Sequence, residues 1–302
     1  MSIISKLSSH IFNVGFFNKK YFYLNNEERY SHVKWLDVGN YNAGWFADPF
    51  ILEYNGNNIK LFVEEFLYES RKGRLSLLDI VIRGDKYELV RVKPILELST
   101  HLSFPYIFRD GQKVYVLPEN SQSGQVLLYR YDFMHECLID GVRLVDCPLV
   151  DSCVFMRNGT YYLIGSNIRK SNSEVTKSAE VYVADSLFGP YYYMQTINNT
   201  RKIERGAGQV FVSEDGIFMR PTQNCTNSYG QSVIFNSIVF TQNNISETMV
   251  YELEPDYHKP MGHCLHTFNY YEDLCVIDGL HYRFPKIGPF IIRLLNSIAS
   301  FK

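Results

Sequence analysis

What the chain lacks narrows its possibilities. Its 302 positions hold no run of about 18 apolar residues, so no membrane-spanning helix is expected. The opening stretch MSIISKLSSHIFNVGFFNKK is broken by Ser, His and Asn, and no small-residue cleavage site follows, so no secretory leader is expected. A formal net charge of -2 leaves no basic excess for a nucleic-acid partner. Six cysteines (137, 147, 153, 225, 264, 275) form no Cys-x-x-Cys pair and no metal-finger spacing, which fits isolated thiols in a reducing compartment. There is no Gly-rich phosphate loop, no dinucleotide fingerprint and no Asp-x-Asp element. No cofactor is identified and no metal triad has ligand spacing, although scattered Asp, Glu and His leave a divalent ion open. Charged residues make up only 21%.

Apolar and aromatic residues fill that space: 46% apolar content, with 23 Tyr and 21 Phe, favours a large β-rich core. A strand–turn–strand pattern recurs in ADPFILEYNGNNIKLFVEE, SFPYIFRDGQKVYVLPEN, DSCVFMRNGTYYLIGSN and GQVFVSEDGIFMRPTQN, and more weakly in HTFNYYEDLCVIDG. Asn-Gly and Asp-Gly between apolar runs are strong hairpin signals. The turn positions Gly56, Gly111, Gly159, Gly216 and Leu274 are spaced by roughly 48 to 58 residues, and each gap has room for two further strands. The expected fold is therefore all-β, a five-bladed β-propeller with about four antiparallel strands per blade. It would occupy residues 34–284, between an N-terminal extension (1–33) and a basic amphipathic tail (285–302). Lys6, Lys19 and Lys20 at one end, and Arg283, Lys286, Arg293 and Lys302 at the other, stand without acids nearby. They suit either a helix resting on anionic lipid or a terminal helix packed on the domain. A cytoplasmic protein, peripheral on the inner face of the plasma membrane, is the expectation.

Polar columns run through these apolar strands. Eight residues before each turn position stand Asp48, Ser103, Asp151, Gly208 and His266; eight after the first four stand Glu64, Glu119, Asn167 and Asn224. A buried carboxylate is costly unless paired or hydrogen-bonded, so the columns are expected to converge on an axial pocket. Strand alternation lets only one of Glu64 and Glu65 face it, and Glu64 fits the column. Each position also has a bland reading. Asp48 could cap a strand entry before Pro49, Asp151 could make an Asx turn, and His101 and His266 could be structural. Arg205 and Arg220 could be inter-blade ion-pair partners. Gln223, Asn224 and Tyr229 could satisfy blade-end backbone groups. Asp278 reads as closing a turn, and Trp45 and Tyr41 could stack on a sugar or pack in the core.

FADPF and DSCVF as equivalent blade starts resemble the paired Asp positions of five-bladed propeller glycoside hydrolases of family 43 and their invertase relatives. That resemblance implies Asp48 as the general base and Asp151 as a tuning and orienting carboxylate. The ordered series ADPF, FVEE, RKGRLSLL, HLSFPYIF, LPEN, DSCVF, FGPY, RGAGQVF, RPTQNC, YG, HTFN and VIDG, over about residues 34 to 284, is similar to a narrower group. This is the N-terminal propeller of plant glucosamine inositolphosphorylceramide transferases and its bacterial relatives in surface-polysaccharide assembly. The hydrolase pattern breaks at IERGAGQVF, where glycine replaces the expected acid and Glu204 lies four residues before Gly208. The resemblance with this departure implies a glycosyltransferase-like enzyme. Its partners would be a phosphate-activated sugar donor and a glycan or lipid-linked acceptor. Asp48, Asp151 and Glu119 would be catalytic. Glu64, His101, Arg205, Arg220, Gln223, Asn224 and His266 would bind substrate, the two arginines gripping the donor phosphate. A glycoside hydrolase with Glu204 or Glu119 as acid, and a silent glycan-binding propeller, are the alternatives.

Overall fold

The computed structural model describes residues 10–171, 174–197, 205–242 and 244–282. The described residues start with β1 (His10–Asn18), a short helix α1 (Asn26–His32) and β2 (Lys34–Asp37). Then come β3 (Gly44–Tyr54), β4 (Asn58–Leu67), β5 (Lys72–Arg83) and β6 (Lys86–Leu96). A second group is β7 (Ser103–Asp110), β8 (Lys113–Glu119), β9 (Val126–Asp132) and β10 (Cys137–Val145). The third is β11 (Leu149–Arg157), β12 (Thr160–Ser171), β13 (Glu174–Ala184) and β14 (Tyr192–Ile197). The fourth is β15 (Phe211–Val212), β16 (Phe218–Asn224), β17 (Ser232–Phe240) and β18 (Ile245–Leu253), followed by β19 (Phe268–Tyr271) and β20 (Leu274–Tyr282). The second, third and fourth groups are four-stranded sheets. The remaining strands form one eight-stranded sheet in the order β19-β20-β1-β2-β6-β5-β4-β3. In it, β2 meets β6 parallel over only Leu36↔Tyr87 and Asp37↔Glu88. The expected all-β class is observed.

Turn chemistry sets the hairpins. Asn158 and Gly159 both take positive φ (50° and 82°) between the paired residues Arg157 and Thr160, as a two-residue primed turn requires. The fifth turn is Glu272–Asp273, closed by Tyr271↔Leu274, so Leu274 is the first residue of its strand and not a turn residue. In the second hairpin Asp110 pairs with Lys113, which makes Gly111 the first turn residue where Gly159 is the second. That one-residue offset matters for the site.

The first strands β3, β7 and β11 are buried on both faces over most of their length, whereas β6 and β18 are largely exposed, as expected for inner and outer strands. The inner strands make a closed circuit of contacts. Phe104 N donates to Asp48 Oδ2 (3.0 Å), Tyr106 Oη to Val154 O (2.7 Å), and Arg205 to Asp151. Phe268 N donates to Ala207 O (2.7 Å), and Asn269 Nδ2 to Pro49 O (2.8 Å). Two glycines permit the closest approaches: a Cβ on Gly206 would stand 2.3 Å from Asp151 O, and one on Gly208 1.9 Å from Phe268 O. This accounts for glycine in the column where a carboxylate was expected.

The segment read as an N-terminal extension is, over residues 10–33, part of the fold. β1 pairs with β20 from His10↔Tyr282 to Asn18↔Leu274, and Phe12, Val14 and Phe16 bury one of its faces while Phe17 buries the other. Phe22, Tyr30 and Val33 pack in the same cluster as Phe17. Asn25 caps α1 by accepting from Glu28 N (3.0 Å). Buried Arg29 ties the segment down through Phe22 O (3.1 Å), Leu24 O (2.9 Å) and Tyr251 Oη (3.0 Å). Residues 1–9 and the expected tail 285–302 lie outside the described residues. No helix among the described residues is long and apolar enough to cross a membrane.

Candidate functional site

Asp48, Phe104 and Asp151 all take left-handed φ (49°, 45° and 47°), each within a register shift of its inner strand. Such bulges re-aim a side chain, and a left-handed non-glycine residue stores strain that the surroundings must hold. The second-sheet equivalent of Asp48 is therefore Phe104, which packs in the core, and not Ser103. The offset of Gly111 in its turn explains the difference.

Asp48 is fixed by three neighbours. Its Oδ2 accepts from Phe104 N, its Oδ1 accepts from Thr267 Oγ1 (2.7 Å), and its own N donates to Asp278 Oδ2 (3.1 Å). Fully buried Asp278 also accepts from His266 N (3.1 Å), Thr267 N (3.0 Å) and His266 Nδ1 (2.6 Å). It is the hub beneath the site and closes no turn, because strand β20 carries it inward from between Ile277 and Gly279. Burial lowers the affinity of His266 for a proton, but Asp278 and then Asp48 outweigh it and lift the imidazole to about 8.

Asp151 lies deeper. Its carboxylate receives Arg205 Nε on Oδ2 (2.6 Å) and Nη2 on Oδ1 (3.0 Å), with Gln223 Nε2 also at Oδ2 (3.3 Å). Burial raises its carboxyl to about 6 against the pull of Arg205, so the pair is ionic at neutral pH. The Arg205 guanidinium lies 5.5 Å from the centroid of Tyr229, whose half-exposed ring meets His266 edge-on.

These groups open into a cleft of about 400 Å³. Asp48, Glu64 and Glu119 line it together with Arg205, His101 and His266. Glu119 accepts from Ser103 Oγ (3.3 Å) and Ser121 N (3.0 Å). Glu64 has His101 Nε2 at 3.5 Å, and burial, then the negative charges of Asp48 and Glu119, hold it well above the usual carboxylate range. A run of rings walls one side: His266 stacks on Phe12 (4.9 Å between centroids), Phe12 contacts Trp45 (5.0 Å), and Trp45 stacks on Phe66 (4.6 Å), with His101 beyond.

Of the residues expected at the site, Asp48, Glu64, His101, Ser103, Glu119, Arg205, His266, Tyr229 and Trp45 line the cleft, and Asp151 and Gln223 sit buried behind Arg205 and Gly206. Others do not reach it. Arg220 is fully buried with Glu247 (Nη2–Oε2 2.7 Å), which removes it from any donor phosphate. Asn224 donates to Glu252 (2.7 Å) and Asn167 to Glu180 (2.8 Å). Ser166, opposite Val150, holds the place that Glu64 and Glu119 hold in their sheets, so Asn167 falls on the other face. Tyr41 donates to Glu65, which pairs with Arg74, so that glutamate faces away from the cleft. Glu204 lies outside the described residues. Phe12, Phe66 and Thr267 were not anticipated; Thr267 alone had a signal, standing beside His266 in HTFN.

Among the described residues one group of metal-ligating atoms lies within 4.8 Å of one another, on Asp48, His266 and Asp278. Asp278 already accepts four hydrogen bonds and His266 Nδ1 donates one of them, so this cluster is a hydrogen-bonded hub and does not fit an ion.

The fold is shared with carbohydrate hydrolases. An exo-β-1,3-galactanase from Phanerochaete chrysosporium superposes with a TM-score of 0.55 at 14% identity, covering 70% of this chain and 52% of that one. A thermostable family-43 glycoside hydrolase does so with a TM-score of 0.50 at 17% identity, covering 74% and 83%. In sequence the chain is 28% identical over 200 residues to glucosamine inositolphosphorylceramide transferase 1 of Oryza sativa subsp. japonica, and 29% over 201 residues to that of Arabidopsis thaliana. The match covers 65% of this chain and 26% of each relative, so the chain spans about a quarter of their length. The family model for the N-terminal part of glucosamine inositolphosphorylceramide transferase 1 matches residues 34–260, and the chain belongs to that family.

Proposed function

We propose that the cleft binds a sugar and that the chain is a carbohydrate-active enzyme, transferring a glycosyl group to a glycan hydroxyl in cell-surface polysaccharide assembly. The observation that carries this reading is Asp48, whose oxygens both act as acceptors at the edge of an aromatic-walled cleft containing two further carboxylates. Such a group can take the proton of an attacking hydroxyl, while ring faces hold the apolar side of a sugar. The relatives are named as glycosyl-transferring proteins, which supports transfer over simple binding. A phosphate-activated donor would meet Arg205 through Nη1, the nitrogen outside its pair with Asp151. In the same reading, the eight-stranded sheet counts as two four-stranded blades meeting at β2 and β6, which makes five in all.

A second reading is favoured by charge. Among the described residues, Asp48, Glu64 and Glu119 face a single arginine that is already bound to Asp151, so the cleft suits a neutral glycoside better than a phosphate. Hydrolysis or transfer from a glycoside would follow. The test is turnover of sugar phosphates and of glycosides by the folded protein and by Asp48→Asn. Loss of about 100-fold or more in the variant is expected. A folded Asp48→Asn protein that works at the full rate would remove the proposal.

A further inference from the structure

The cleft contains a carboxyl group for which the roles above leave no use. Glu64 is 6% exposed, lines the cleft, and among the described residues has no hydrogen bond nearer than His101 Nε2 at 3.5 Å from Oε1. Asp278 accepts four hydrogen bonds, Asp151 three, and Asp48 and Glu119 two each. His101 is itself fixed. Its Nδ1 accepts from Gly73 N (2.9 Å), so the proton of the neutral ring is on Nε2, facing Glu64. Gly73 lets this happen, since a Cβ there would stand 2.7 Å from Glu64 Oε1 and 2.8 Å from the His101 ring.

We infer that Glu64 is the proton donor of the cleft, positioned by His101 and paired with Asp48 as base, and that the group it serves is the poorly leaving oxygen of a glycoside. The inference rests on the reading that the cleft acts on sugars. Two neighbouring acids in different surroundings divide acid and base roles between them, and Glu64 is the one with burial and two negative neighbours to keep its proton. In the step, an incoming hydroxyl oxygen bonds to the anomeric carbon and its proton passes to Asp48. The bond from that carbon to the departing oxygen breaks, the electron pair stays on the oxygen, and the oxygen takes the Glu64 proton. Solvent then carries a proton from Asp48 back to Glu64. A phosphate would leave without this help, so the donor class is a glycoside with an alcohol as its other product.

Two measurements on the full chain test this. Infrared difference spectra over a pH titration should show a protonated carboxyl at pH 7 that is absent from Glu64→Gln. Its absence from the wild-type protein overturns the inference whatever the activity. Second, methyl and 2,4-dinitrophenyl glycosides of galactose, arabinose and xylose, and the corresponding sugar 1-phosphates, are compared as donors. Glu64→Gln should lose about 100-fold or more on methyl glycosides and less than about 3-fold on dinitrophenyl ones, whose leaving group needs no acid. Equal losses on both would mark a structural role and overturn the inference, as would wild-type turnover of sugar phosphates alone. Loss in Asp48→Asn with none in Glu64→Gln would overturn this inference and leave the sugar-chemistry reading standing. No turnover of any probe by the wild type would remove both. His101→Phe, which removes a donor to the carboxylate, should raise the pH at which the Glu64 carboxyl band titrates and weaken the methyl-glycoside rate, without altering the dinitrophenyl rate.

Discussion

Arg205 grips Asp151 with two parallel contacts, Nε to Oδ2 at 2.6 Å and Nη2 to Oδ1 at 3.0 Å, from a residue just ahead of the glycines that touch the inner strands. The pair closes the third sheet onto the fourth and brings an arginine to the cleft without leaving its charge free. Arg205→Ala should destabilise the protein by about 3–5 kcal/mol, because it strands a buried carboxylate. The double variant with Asp151→Asn should recover part of that loss. Urea unfolding of the four proteins of the cycle measures the coupling.

His266 supplies a pH dependence. Its folded value of about 8 lies above the ordinary value near 6.5. The stabilisation is therefore fully present below about pH 6.5 and is lost as pH rises through about 8, a change of about 2 kcal/mol. Unfolding free energies between pH 6 and 9 should fall accordingly, and the fall should be smaller in Asp278→Asn. A flat profile in the wild type would contradict the ionic contact between Asp278 and His266.

Arg220 and Glu247 form a fully buried pair away from the cleft. Glu247→Gln should cost roughly 3 kcal/mol or more in stability. Sugar affinity of the folded fraction should stay unchanged, measured by calorimetric titration. A selective loss of sugar-phosphate binding with stability intact would return Arg220 to the binding role expected from the sequence.

Gly206 and Gly208 allow the inner strands to touch. A methyl group at Gly208 would meet a backbone oxygen at 1.9 Å, so Gly208→Ala is expected to prevent folding or to lower stability by at least about 3 kcal/mol. Gly56→Ala meets open space at a positive φ and should cost only about 1 kcal/mol. Thermal melts of the two variants give the comparison.

Trp45 stands between Phe12 and Phe66 in the ring wall. Trp45→Ala should weaken sugar binding by up to about tenfold, the scale of one stacking contact, with the folded spectrum kept. Titration followed by ligand-observed NMR reads this directly.

Much of the architecture was legible locally. Asn-Gly and Asp-Gly turns announce the hairpins, and Asp48, Glu64 and Glu119 stand out as acids in apolar strands that reach one cleft. Position counting failed where a single residue of offset flips a strand's side chains. It chose Ser103 over Phe104, and it put Asn167 in the column that Ser166 occupies. Asp278 was misjudged because the four donors that explain its burial come from residues 48, 266 and 267. Phe12 left no trace in the pattern, since its strand partner is Leu280 at the far end of the chain.

That last pairing governs how the molecule is assembled. Strand β1 is synthesised early, yet its antiparallel neighbour emerges only after residue 274. Until then its row of amides has no mate on that side and can recruit another polypeptide. Completion of the last hairpin thus acts as a clasp, ending a vulnerable interval in biogenesis and delivering the ring of Phe12 to the wall of the cleft.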